Sequence, residues 1–194
     1  MKRKNVFGLL MVAACSALLS AELPGSIEKI PLFKGMVLES EETAPADGEL
    51  LLGIVRTYSV NAAPEEVLAF YEKALAIRER FGESGDQNDL KVKEFVAPSM
   101  QVYFWDEDYF IDGDFGEGGS SNRGWMKKEL SKRKKDREGY WVQNASALWY
   151  YRDTANTLTE LQVMLDDLSI NEDEGTYSLR TQVAIRVVRY TYGF

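Results

Sequence analysis

Hydrophobic residues recur every three or four positions after Pro64, which is the clearest pattern in the chain. Proline suits the first turn of a helix, because its missing N–H needs no partner there. Two glutamates follow in the first turn and two arginines lie near the end, and both placements favour the helix dipole. The spacing predicts an amphipathic helix from Pro64 to about Phe81, with an apolar stripe formed by Val67, Phe70, Ala74, Ile77 and Phe81.

Alternating apolar and polar positions predict strands on both sides of this helix. The segments with this pattern are residues 50–60, 90–96, 100–110, 146–152, 157–169 and 177–190. The last segment alternates most clearly, with one face formed by Leu179, Val183, Ile185 and Val187. One buried and one wet face is typical of an antiparallel sheet. The turn at 171–175 predicts that the last two strands pair as a hairpin.

Two segments lack this regularity. Residues 22–49 contain several prolines and glycines and predict a loosely structured lead-in segment with a short strand at 36–38. Residues 112–124 predict a loop, and residues 125–138 favour a charged helix. We therefore expect one α+β domain over residues 50–194. Its antiparallel sheet would have five to seven strands, the amphipathic helix packed on one face, and a charged helical insertion.

The N-terminus has the pattern of a bacterial export signal over residues 1–21. Lys2, Arg3 and Lys4 precede an apolar run that ends in small residues. The run is shorter than the roughly 20 apolar residues that a membrane span needs. We therefore expect an exported protein of the cell envelope, either in the periplasm or anchored to a membrane.

Two cleavage sites compete. Val12-Ala13-Ala14-Cys15 resembles the signal of bacterial lipoproteins, and this resemblance implies that the Cys15 thiol is acylated as an N-terminal lipid anchor. Leucines follow Cys15 where a polar tether is usual, so an ordinary cut after Ala21 is the alternative. Several acyl chains would hold the domain on a membrane stably, whereas one chain would do so only marginally.

Composition excludes several classes of chemistry. The chain contains no histidine, and Cys15 is its single cysteine. Ser-His-Asp triads, Cys-His pairs and nearly all zinc catalysis are therefore excluded, and we expect no metal and no cofactor. The net charge is −8, and loss of the three N-terminal cations makes it still more negative. This acidity argues against nucleic-acid binding.

A dense acidic stretch provides one candidate site, formed by Asp106, Glu107, Asp108, Asp112, Asp114 and Glu117. Its spacing does not match a calcium-binding loop. Paired carboxylates are also what glycosidases require. A carboxylate-dependent hydrolase acting on an envelope polysaccharide is therefore the alternative function, whereas a solvated surface loop requires no function at all.

A basic run provides the second candidate site. Residues 123–138 contain eight basic side chains and only three acidic ones, in an otherwise acidic chain. Charge runs are often solvated helix faces, but this one also suits an anionic membrane surface or an acidic envelope protein. The residues predicted to make that contact are Lys127, Lys128, Lys132, Arg133, Lys134 and Lys135. The leading functional prediction is a non-enzymatic module that binds a macromolecule or a surface.

A wider pattern supports the fold. A P-x-x-x-G motif at Pro31–Gly35, a strand, and the sequence PEEV-x-x-FY at 64–71 follow one another. Together they resemble a strand–helix pattern in small secreted bacterial domains of unknown function. The resemblance covers about residues 28–110 and implies a helix on an antiparallel sheet, but it implies no activity.

Overall fold

The computed structural model of the chain describes residues 23–82, 90–110 and 123–191. It contains two α-helices, α1 (Pro64–Ala74) and α2 (Gly124–Leu130), and 3₁₀ helices at Ile27–Lys29 and Glu107–Phe110. The strands are β1 (Val37–Ala44), β2 (Leu50–Val60), β3 (Ser99–Phe104), β4 (Val142–Thr154), β5 (Thr157–Asp167), β6 (Ile170–Asn171), β7 (Thr176–Tyr177) and β8 (Thr181–Thr191).

Six strands form one antiparallel sheet in the order β1-β2-β8-β5-β4-β3, and β6 pairs with β7 in a small ribbon. The predicted α+β class and antiparallel sheet are therefore confirmed. β5 and β8 are neighbours, with Asp167 opposite Thr181, so the two long C-terminal strands pair as predicted. The 171–175 turn closes the β6-β7 ribbon between them.

Most buried apolar positions of the central strands point to one face, which we call the inner face, whereas Leu158 of β5 points to the other face and packs with Leu90 and Val96. Alternation places successive side chains on opposite sides of a strand, and it selects this face along β8 as the sequence predicts. Buried pairs lie in register across β5 and β8: Leu165 with Val183, Val163 with Ile185, and Leu161 with Val187. On β4, the fully buried Trp149 donates a hydrogen bond from Nε1 to the Pro24 carbonyl at 2.8 Å.

Helix α1 packs on the inner face, but its buried stripe differs from the predicted one. The buried residues on this side are Val67, Leu68, Tyr71 and Leu75. Phe70 is only half-buried and packs edge-on against Phe33, with ring centroids 5.5 Å apart. Phe81 is 55% exposed. Burial therefore selects Leu68 and Tyr71, rather than Phe70 and Phe81, from a broad apolar face.

The helix also ends earlier than predicted, at Ala74 rather than near Phe81. Ala76 has a left-handed φ of 52°, which turns the chain away from the helix axis. The Phe81 N–H then donates to the Met100 carbonyl at 2.7 Å, so the segment after α1 follows the edge of β3. Pairing with this edge replaces the last helical turns.

The lead-in segment belongs to the packed structure rather than lying outside it. β1 extends over eight residues and pairs with β2, beyond the short strand predicted at 36–38. Ile27 and Ile30 are buried in the same core as α1. An 11-residue helix spans about 16 Å, whereas an 11-residue strand spans about 36 Å. The helix therefore leaves part of the inner face uncovered, and residues 23–30 pack there.

Three further predicted elements are shorter than expected. The strand predicted over 100–110 ends at Phe104, and residues 107–110 form a 3₁₀ helix. The 90–96 segment contributes an isolated bridge between Phe95 and Tyr151 instead of a regular strand, since Lys93 adopts a φ of 67°. The charged helix predicted over 125–138 stops at Leu130. None of the helices in the described ranges is long and apolar enough to cross a membrane.

Candidate functional site

The basic segment, which we define as residues 123–138, consists of α2 and the loop that follows it. Lys127 and Lys128 lie in the last turn of α2, where cations complement the helix dipole. Lys132, Lys134 and Lys135 lie in the loop, and all five lysines are exposed. The structure therefore places five of the six predicted contact residues on the surface.

Arg133 is the exception, because its side chain forms buried ion pairs inside the protein. Its side chain is only 5% exposed and points into the protein. Arg133 Nη1 lies 2.7 Å from Asp167 Oδ2, and Nη2 lies 3.0 Å from Glu65 Oε1. The two carboxylates are themselves buried, at 0% and 7% exposure. Arg133 therefore joins the loop to the end of β5 and to the first turn of α1.

Glu65 is incompletely hydrogen-bonded in this buried network. Its Oε1 also accepts a hydrogen bond from the Val142 N–H at 2.9 Å, while Oε2 has no partner in the described part of the chain. Burial raises the pKa of Glu65, and the attraction of Arg133 and the backbone hydrogen bonds reverse this effect only in part. The carboxylate is thus held inside at an electrostatic cost.

A second buried arginine fixes the other end of the loop. Arg80, 3% exposed, forms a two-point contact with Asp136, with N···O distances of 2.7 and 2.9 Å. Its Nε also donates to Glu72 at 2.7 Å. Burial by itself would raise the pKa of Asp136, but the hydrogen bonds from Arg80 outweigh it and the pKa is lowered. Asp136 is therefore held as an anion against α1 and the segment after it.

An apolar cluster packs against the buried side of the basic segment. Met126 and Leu130 of α2 are fully buried against Trp105, Phe110 and Trp141. The Nζ atom of Lys135 lies 4.6 Å from the centroid of the Trp141 ring, within cation–π range. Packing and ion pairs thus act together, and the backbone of the segment is fixed before anything binds to it.

The remaining charges face outward. Lys132 pairs with Glu129, and Arg137 lies 3.3 Å from Glu72. Lys127, Lys128 and Lys134 form no ion pair with any residue that the structure describes. These three lysines therefore present net positive charge to solvent on a rigid support.

The acidic candidate site falls largely outside the described residues. Asp106 is exposed, and Glu107 and Asp108 lie in a 3₁₀ helix, but the side chains of these last two are outside the described part. Asp112, Asp114, Glu117 and the predicted lipidation site Cys15 also lie outside it. Within residues 23–82, 90–110 and 123–191, no group of three or more potential metal ligands is arranged to hold a metal ion.

The buried charge network could not be predicted from the sequence. Glu65 and Arg80 fit a helix dipole equally well as exposed residues, and Asp167 lies at the end of an ordinary strand. Arg133 is 68 and 34 residues away from its two partners in sequence, so local pattern could not identify them. Comparison with family models, with curated proteins and with solved structures gives no match for this chain.

Proposed function

We propose that the chain is an exported, non-enzymatic module of the cell envelope that binds an anionic membrane surface through its basic segment. The observation that carries the proposal is the exposure of Lys127, Lys128 and Lys134 without ion-pair partners among the described residues. These cations stand out because the chain as a whole is acidic.

The rigidity of the basic segment increases the contribution of these lysines to the free energy of binding. A loop that must become ordered on binding loses conformational entropy, whereas the buried pairs of Arg133 and Arg80 already order this one. Each Lys near an anionic leaflet contributes about 1 kcal/mol. The three lysines without ion-pair partners in the described ranges therefore supply about 3 kcal/mol.

That magnitude is too small for stable attachment by charge alone. Even a binding free energy of about 4 kcal/mol corresponds to a dissociation constant of about 1 mM. Stable membrane attachment generally combines two signals, such as a lipid chain and a basic patch. The acyl anchor predicted at Cys15 would be the second signal, and the basic segment would then orient the domain on the surface.

The rival hydrolase has no observation of its own to support it. Of the six acidic residues assigned to it, only Asp106 has a described side chain, and that side chain is exposed. The exposed lysines therefore carry the stronger functional argument.

Vesicle sedimentation tests the proposal. The purified, non-acylated protein should pellet with vesicles that contain anionic phosphatidylglycerol, should remain in solution with neutral phosphatidylcholine vesicles, and should be released by high salt. A Lys127→Glu/Lys128→Glu/Lys134→Glu variant should lose this binding.

A matched control separates the segment from overall charge. The variant Lys34→Glu/Lys73→Glu/Lys91→Glu changes the net charge equally at exposed lysines on other elements. It should bind anionic vesicles nearly as well as the wild type. Equal loss in both variants, or sedimentation of the wild type with neutral vesicles, would refute a specific role for the basic segment. Binding of an acidic envelope protein without any vesicle binding would refute the membrane assignment.

A further inference from the structure

A cleft of about 470 Å³ opens on the inner face of the sheet, away from the basic segment. Its size lies within the roughly 300–1,000 Å³ of typical small-molecule sites. One wall is the N-terminal segment 23–29, and the floor is the end of the sheet that the short helix α1 leaves uncovered.

The floor of the cleft follows one row of the sheet across four adjacent strands. Leu52 lies opposite Arg189, which lies opposite Thr159, which in turn lies opposite Tyr151. Ile54 and Val187 extend the apolar part of this floor. The cleft is thus apolar on one side and carries an arginine in the middle of its floor.

The wall formed by the N-terminal segment is firmly attached. The Pro24 carbonyl accepts the hydrogen bond from buried Trp149, and Ile27 is buried beside it. Gly25 fits directly against the Tyr151 ring, because a Cβ atom there would lie only 3.1 Å from Tyr151 Cδ1. Tyr151 stacks in turn on Phe95, with centroids 4.4 Å apart. The cleft is therefore preformed and not opened by the ligand.

Charged groups collect at one end of the cleft. Asp153 lies between two cations, 2.6 Å from Lys93 Nζ and 2.6 Å from Arg189 Nη2. With Glu28 and Lys29 at the rim, the lining has more positive than negative side chains, in a chain of net charge −8. Arg189 Nε is buried and donates to no acceptor in the described residues. The Arg189 side chain as a whole is 38% exposed, so part of its guanidinium is open to a ligand in the cleft.

We propose that this cleft binds a single-chain amphiphile with an acidic head, placing the head against Arg189 and Lys93 and the apolar chain along Leu52, Ile54 and Val187. A carboxylate or a phosphate can form charge-assisted hydrogen bonds with the exposed part of the Arg189 guanidinium. An alkyl chain matches the apolar floor. A cationic head would be repelled by the same two side chains.

Isothermal titration calorimetry on the purified protein tests this assignment, with ten-carbon probes kept below their micelle-forming concentrations. Sodium decanoate or decyl phosphate should bind in a one-to-one complex, and decylammonium should bind at least about tenfold more weakly. The tighter of the two acidic probes would identify the natural head as a carboxylate or a phosphate. Equal affinity for decylammonium, or binding of no probe, would overturn the proposal.

The chain offers a close control for the arginine. Arg186 lies on the same strand as Arg189 but on the opposite face of the sheet, and the two side chains are 39% and 38% exposed. Arg189→Gln should weaken binding of the acidic probe by about tenfold to a hundredfold, while Arg186→Gln should leave it unchanged. Equal effects of both substitutions would refute the assignment of the head group.

A second substitution, at an exposed residue, tests the head-group contact without disturbing the fold. Lys93 is 64% exposed, so Lys93→Gln should leave the melting temperature unchanged while weakening the acidic probe. The Lys127→Glu/Lys128→Glu/Lys134→Glu variant should bind the probe like the wild type, because the cleft and the basic segment are separate surfaces. Failure of vesicle binding would therefore leave the cleft proposal standing, and failure of Lys93→Gln to weaken the probe would overturn it.

Discussion

Replacing Arg133 by methionine should destabilise the protein far more than a surface substitution. Arg133 is the cation shared by Glu65 and Asp167, and all three side chains are buried. Methionine keeps much of the aliphatic volume but removes the charge, which leaves two buried carboxylates without a compensating cation. Breaking a buried ion pair by removing one partner typically costs about 3–5 kcal/mol.

This cost is large compared with the stability of an ordinary domain. Domains unfold with free energies of about 5–15 kcal/mol, so the substitution removes a third or more of a typical value. With a urea m-value of about 2 kcal/mol per molar, a loss of about 4 kcal/mol lowers the unfolding midpoint by about 2 M. Urea titration at neutral pH, followed by tryptophan fluorescence, measures that shift.

The neighbouring lysine provides the control. Lys134→Met removes an equal charge from an exposed position and should change the free energy of unfolding by about 0.5 kcal/mol or less. Adding Glu65→Gln to Arg133→Met should restore part of the loss, because it removes one of the two uncompensated charges. If Arg133→Met and Lys134→Met have equal midpoints, the conclusion that buried ion pairs fix the basic segment is wrong.

Three further predictions concern pH and packing. The pKa of Glu65 is raised from 4.5, so the folded protein holds this proton more tightly than the unfolded chain does. The wild type should therefore lose stability relative to Glu65→Gln as the pH rises from 4.5 through the folded pKa. Urea titrations at several pH values measure this difference, and the reverse trend would contradict the prediction. Leu68→Ala, at a fully buried position on α1, should lower the free energy of unfolding by about 2–5 kcal/mol, whereas exposed Ala69→Ser should have little effect. Gly25→Ala should cost about 1–3 kcal/mol in the same assay, since the new methyl group meets the Tyr151 ring at 3.1 Å, and an unchanged midpoint would show that the wall of the cleft yields easily.

The sheet could be predicted from the sequence because the alternation of apolar and polar residues along a strand indicates which face is buried. Val183, Ile185 and Val187 alternate with polar residues, and the structure buries all three. Alternation is a local property, so it needs no knowledge of the partner strand. The α+β class follows from such segments and from the periodic pattern after Pro64.

The helix stripe was harder to predict because α1 has hydrophobic residues on more than one side. Val67, Leu68, Phe70 and Tyr71 are consecutive or nearly so, and spacing alone favoured Phe70. In the structure Phe70 packs against Phe33 in the lead-in segment, while Leu68 and Tyr71 are fully buried. If the lead-in segment is predicted to lie outside the domain, the sheet is the only surface left against which Phe70 could pack.

The exposure of charged side chains was also difficult to predict. The sequence shows a run of basic residues but does not show which of them are already neutralised inside the protein. Arg133 and its exposed neighbour Lys134 belong to the same run, yet only Arg133 meets buried carboxylates. Such contacts depend on how distant segments meet, so the candidate site could be located from the sequence, whereas its division into internal and external charges could not.

The cleft begins only a few residues after the predicted lipid anchor in the sequence. Leu23, the first described residue, already lines the cleft, and the candidate lipidation site Cys15 lies eight residues before it. A chain extends at most about 3.6 Å per residue, so eight residues reach no farther than about 29 Å. If Cys15 is acylated as predicted, the cleft would therefore lie within that distance of the membrane, the region in which acidic amphiphiles concentrate. Inserting a long Gly/Ser spacer before Leu23 should then weaken uptake of decanoate from vesicles without changing its affinity in solution. Equal uptake with and without the spacer would show that the anchor does not determine how the cleft obtains its ligand.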